Sequence, residues 1–266
     1  MVFFAKNELK LLWPFYVDHF VSPMLFFLPV FFVPYFLSLG FSFFQIGLLM
    51  AVAPLVSVLS EVPTGVFADV YGRKRSVILG QVLSVPVFFV IPFFSNFYVL
   101  LVGYALLGVF ATFLSGAKEA WVFDLLKSER CSSLFPKYVA KMYILDSAGL
   151  IISGILGAFL VARFGVFVIW PVAALSCLVA SLLLLLCRES AISYHKTASV
   201  QMWVSHAKTS FTYCFQHRTV SKLLLAGVFL VGTLSFTSSI QWIPLLQTSG
   251  VSVPALGYVW SLMAVA

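Results

Sequence analysis

Glu61-Val-Pro-Thr-Gly-Val-Phe-Ala-Asp-Val-Tyr-Gly-Arg-Lys-Arg75 joins two long apolar runs, and the fold turns on how it is read. Residues 45–66 hold no charge besides Glu61, and residues 76–94 hold none. Each run is long enough to cross a bilayer as a helix, which needs about 20 mainly apolar residues because every backbone polar group must be satisfied internally. A polar joint with three consecutive cations between two such runs has the form of a helical hairpin whose tip stays on one side of a membrane.

The rest of the chain repeats this pattern. Of 266 residues, 62% are apolar and 9% charged, against roughly 45–50% and 25% in soluble domains. With a mean hydropathy of +1.07, a water-soluble fold would leave large apolar patches on its surface, so lipid is the expected surrounding. The net charge of +7 is scattered between apolar runs, not gathered into a stripe, and no nucleic-acid partner is expected. Cys131, Cys177, Cys187 and Cys214 have no metal-ligand spacing and read as free, packed thiols. No cofactor is expected.

Seven runs read as spans, near 12–37, 45–66, 76–94, 97–117, 138–160, 165–187 and 223–247. The first is too long for a signal-peptide core and is expected to remain as an anchor. An eighth run begins near residue 254; its about 13 residues reach only about 20 Å, so the reading frame is expected to continue in a longer protein. Lys6 and Lys10, Arg73 to Arg75, the cations from Lys118 to Lys141, and those from Arg188 to Lys222 all fall in joints of one parity, and Arg163 alone in the other. Basic joints stay cytoplasmic, which puts the N-terminus inside. The expected organisation is a six-helix bundle over residues 1–187, a linker over 188–222 and the start of a second bundle over 223–266. In the linker, Val200, Trp203, Val204, Ala207, Phe211, Cys214 and Phe215 recur at helical spacing. They form the apolar face of a helix lying on the inner membrane surface or packed on the protein's own face.

Gly65 to Lys74 spell G-x-x-x-D-x-x-G-R-K in the joint after the second span. This resembles the signature loop of the major facilitator superfamily, and the flanking Glu61-Val-Pro-Thr-Gly65 resembles a prokaryotic branch with many uncharacterised members and some exporters. The resemblance implies an all-α membrane protein of major facilitator fold, with the N-terminal bundle complete and the second truncated after helix 7 and part of helix 8. By its spacing, Gly65 admits a close helix, Gly72 permits a tight turn, and Asp69 is placed to accept hydrogen bonds. By resemblance, Asp69 and Arg73 gate the cytoplasmic ends of two bundles, with Lys74 in the same motif; fixing topology is the plainer role of Arg73 to Arg75. Ser115 to Asp124 also resembles a recurring segment of that branch. Two family patterns are weak: Tyr104 occupies the place of the usual helix-4 arginine, and Ser153-Gly-Ile-Leu-Gly-Ala158 lacks the proline of the exporter pattern. Gly149, Ser153 and Gly157 still form a small-residue stripe for close packing.

Ionisable groups at bilayer depth cost a few kcal/mol and usually face a cavity or a partner. Asp18 with His19, Glu61 and Asp146 stand in the apolar runs. Asp18, sharing a face with Ser22, is the candidate for substrate or proton coupling, with a structural pair to His19 or to a lysine as the alternative. Asp146 is either a second coupling acid or a helix-to-helix hydrogen-bond partner. Glu61 is expected to pair with the basic residues of the motif. Pro14, Pro23, Pro29 and Pro34 are expected to kink the first span.

The expected function is secondary active transport by alternating access, most simply proton-coupled export of a lipophilic or amphiphilic compound, by a monomer in the plasma membrane. Proton-coupled uptake of a small solute and a non-transporting scaffold or receptor on the same fold are the alternatives. An enzyme is not expected: no His-Glu-x-x-His, Gly-x-Ser-x-Gly or Walker A sequence occurs.

Overall fold

The computed structural model describes residues 8–189, 216–223, 226 and 242–265. The secondary structure of these residues is entirely helical. The helices are α1 (Glu8–Leu25), α2 (Leu28–Ser38), α3 (Phe43–Tyr71), α4 (Arg73–Val90), α5 (Phe97–Thr112), α6 (Ala117–Ser128), α7 (Phe135–Phe164), α8 (Ile169–Leu186), α9 (Trp242–Thr248) and α10 (Ala255–Val265). Among the described residues six stretches are long and apolar enough to cross a membrane: Glu8–Ser38, Phe43–Tyr71, Arg73–Phe93, Phe97–Ser128, Ser132–Phe164 and Val166–Leu186. The expected amphipathic helix around residues 200–215 and most of the expected seventh span lie outside the described residues.

The six spans follow the apolar runs, with boundaries shifted for identifiable reasons. The first is interrupted at Phe26 and Phe27, three residues past Pro23, and Pro29 sits in the opening turn of α2, where its missing N–H costs nothing. α3 starts on a capping box in which Ser42 and Gln45 satisfy each other's backbone N–H, and it continues to Tyr71. The signature stretch is therefore helical nearly throughout, and the turn contracts to Gly72 at φ +102°. In that region a side chain is strained, which accounts for the glycine. The fourth span breaks after Thr112 and resumes at Ala117 beyond Gly116, in the left-handed conformation at φ +66°.

Helices pair by close backbone approach. α1 packs on α7 and α8, α3 on α5, and α4 on α8. At the α3–α5 crossing a Cβ on Gly108 would stand 2.4 Å from the Ala53 carbonyl oxygen, and the Ser57 hydroxyl donates to the Gly108 carbonyl at 2.8 Å. The stripe on α7 does what its spacing predicts. A Cβ on Gly149 would meet the Phe20 carbonyl of α1 at 2.6 Å, one on Gly157 would meet the rings of Phe27 and Phe31, and Ser153 is fully buried between them. On another face of α7, Gly154 packs against Gly257 of α10, and Ser261 donates to the Ile151 carbonyl at 2.5 Å. Side chains such as Phe44, Leu59 and Tyr98 point outward from the bundle, as a lipid-facing belt requires.

Candidate functional site

A cavity of about 1000 Å³ opens inside the bundle, lined from α1 to α8. Phe26, Leu28, Phe88, Tyr104 and Leu107 form one part of its wall, and Asp18, His19, Lys118, Glu119 and Asp146 carry its charge. Asp18 and His19 of α1 and Asp146 of α7 thus share one cavity.

Asp18 is 1% exposed. One carboxylate oxygen accepts from the Ser22 hydroxyl, one turn on, at 2.6 Å; the other is ion-paired to the ammonium of Lys118. Lys118 reaches it because the break at Gly116 turns the chain before the helix resumes; two residues into α6, its long side chain spans from the fourth helical segment to the first. A carboxylate buried this deeply is costly to leave without such a partner and its hydrogen bonds.

His19 faces α7 instead. Its Nδ1 lies 3.0 Å from Asp146 Oδ1 and its Nε2 2.9 Å from the Tyr138 hydroxyl. Asp146 of α7 thus contacts His19 of α1, and Asp18 pairs with Lys118 of α6 and not with His19. Tyr104 is buried edge-on to Phe32, with its hydroxyl free of any partner among the described residues.

The signature residues gather at the end of the bundle that carries Gly72. Arg73 contacts Asp124 of α6 at 2.9 Å and Asp69, one turn back, at 3.8 Å. Lys74 donates to the carbonyls of Leu185 (3.0 Å) and Cys187 (2.6 Å), so a cation meets the negative end of the α8 dipole. Gly65 meets nothing within 4 Å of where a Cβ would stand, so the close helix expected at that position is absent among the described residues. Glu61 also departs from expectation. It is exposed and pairs with none of Arg73, Lys74 and Arg75. Because α3 stays helical to Tyr71, Glu61 stands ten residues, about 15 Å, back along the helix from the end that carries Gly72 and Arg73.

Other charged groups belong to this picture although the sequence reading counted them only as joint charges or passed over them. Lys118 and Asp124 hold the two partners just described, and Lys141 pairs with the fully buried Glu8 at 2.5 Å, with the Tyr16 hydroxyl donating to the same carboxylate. The available signal was the spacing of Lys118 and Asp124 on one short helix behind a glycine.

Comparison with known proteins agrees with this architecture. The family model described as Major Facilitator Superfamily matches residues 18–266. The chain belongs to the major facilitator superfamily. That places it in a family of membrane transporters and not among enzymes. Within the superfamily it is similar to the uncharacterised MFS-type transporter YxaM of Bacillus subtilis (strain 168), at 27% identity over 230 residues, covering 86% of this chain and 56% of that protein. The chain thus spans a little over half the length of this major facilitator relative. No solved structure matches it significantly.

Proposed function

We propose that the chain forms the substrate-binding bundle of a secondary active transporter that exports a lipophilic or amphiphilic compound in exchange for protons, by alternating access in the plasma membrane. In this reading residues 1–187 form one bundle, 188–222 the linker and 223–266 part of a second bundle, with the N-terminus cytoplasmic and the protein a monomer. The observation that carries it is the single cavity in which a buried, ion-paired carboxylate, Asp18, faces largely apolar and aromatic walls. Such a wall suits a greasy solute, and a carboxylate that must always have a counter-charge can exchange one cation for another, whether proton, ammonium or substrate.

α6 gives the cavity a route to the gate. Lys118 at its start holds Asp18, and Asp124, six residues on and about 9 Å along the axis, holds the signature arginine. Released from Asp18, Lys118 frees α6 to pivot at Gly116, and Asp124 then moves relative to Arg73 and Asp69. Both ends of one short rigid element thereby report on each other, as a two-state gate requires.

The test is accumulation of a fluorescent lipophilic cation in cells expressing the intact protein, with and without a protonophore. Expression is expected to lower accumulation, the protonophore to restore it, and Asp18→Asn to behave as the protonophore does while membrane insertion is unchanged. Unaltered exclusion in the Asp18→Asn variant would remove Asp18 from coupling; no effect of expression at all would favour uptake of a small polar solute.

A further inference from the structure

The cavity's charge is unbalanced. Asp18, Glu119 and Asp146 line it against Lys118 and His19, so among its described lining residues carboxylates outnumber cationic groups whether or not the histidine is protonated. Only one of the three carboxylates is fully withdrawn from water, and that one is covered by the chain's own ammonium. Removing one partner of a buried ion pair leaves an uncompensated charge, a strongly unfavourable state that any cation able to reach it relieves.

We propose that Lys118 is a tethered counter-cation that occupies the cation subsite at Asp18 and sets the specificity of the cavity for permanently charged lipophilic cations. The proposal rests on the reading of the cavity as a substrate site, and adds its ligand class and the residue that tunes affinity. The Lys118 ammonium and the charged centre of the ligand compete for one carboxylate, while the apolar substituents of the ligand lie against Phe26, Phe88 and Leu107. Lys118 arrives on a long, flexible stem that is 17% exposed. It lines the same cavity as Asp18, so its ammonium has cavity space beside the carboxylate to swing into, whereas the short Asp18 side chain is fixed to α1. The cost of displacing Lys118 is a fixed subtraction from affinity, so only ligands that combine charge with apolar contact overcome it.

The experiment is equilibrium binding of radiolabelled tetraphenylphosphonium to the purified intact protein. Lys118→Met is expected to bind it at least tenfold tighter than wild type, Lys118→Arg within threefold of wild type, and Asp18→Asn combined with Lys118→Met to lose the gain. Lys118→Gln, which keeps a hydrogen-bond donor at the carboxylate, carries the same prediction with a smaller gain and serves where the methionine variant does not fold. Equal or weaker binding by the folded Lys118→Met or Lys118→Gln protein overturns the proposal, as does a gain that survives loss of the Asp18 charge. The two readings fail separately. A protein that exports another compound but shows no such gain keeps the transport reading and loses the tethered cation; one that shows the gain but moves no solute keeps the subsite and loses transport.

Discussion

Arg73 stands between two carboxylates of unequal weight. Asp124 is at 2.9 Å with its side chain 13% exposed, and Asp69 at 3.8 Å with its side chain 67% exposed. Solvent screens the second contact far more than the first. A double-mutant cycle on unfolding of Arg73→Ala with Asp124→Ala is expected to give a coupling of about 1 kcal/mol or more, and the cycle with Asp69→Ala less than half of that; equal couplings would contradict the geometry. Cysteine reactivity follows burial in the same way. Cys187, just past the sixth span, is buried, and desolvation pushes its thiol up to about 12, with the Asp18 charge adding to the rise. Its thiolate is nearly absent at neutral pH, so a maleimide at pH 7.5 is expected to label the half-buried Cys131 well before Cys187, read by peptide mass mapping. Asp18, His19 and Asp146 were legible as isolated charges in apolar runs, because the cost of burying them demands a cavity or a partner. Glu61 misled the same rule: its exposure shows in the structure, but how far the α3 helix continues toward Arg73 does not show in the letters.

At the level of elements, the fourth span was the hardest to read. Lys118, Glu119, Asp124 and Lys127 give residues after 117 the composition of a joint, yet they form α6, whose Lys118 and Asp124 pair with partners in α1 and α4. Hydropathy averages over a window and cannot distinguish a solvated loop from a helix whose charges are paired. The crossing of α3 and α5 was not legible in the sequence. Its structural content is that Gly108 lies against the Ala53 backbone, with no room for a methyl group. Gly108→Ala is expected to force the helices apart and destabilise the bundle by about 1–3 kcal/mol, lowering the thermal midpoint in detergent. An unchanged midpoint would contradict the close approach. Gly65, whose added Cβ would meet nothing within 4 Å among the described residues, should by contrast accept alanine with little effect on the same measurement.

At the scale of the molecule, the number and order of the first six spans followed directly from run length, since the bilayer fixes both the length and the apolarity of a crossing helix. Which side chains meet inside was not legible, because periodicity says which face of a helix is polar and never which neighbour it faces. The cavity joins one buried acid to a short helix that also holds the signature arginine, and the proposed carrier rests on that continuity. Solute counterflow in proteoliposomes containing the intact protein tests this most directly. With unlabelled ethidium inside and a trace of radiolabelled ethidium outside, an alternating-access carrier produces a transient overshoot of label above its equilibrium level, absent from protein-free liposomes. A monotonic approach to equilibrium, or no protein-dependent movement for ethidium and tetraphenylphosphonium alike, would contradict carriage of lipophilic cations through this cavity.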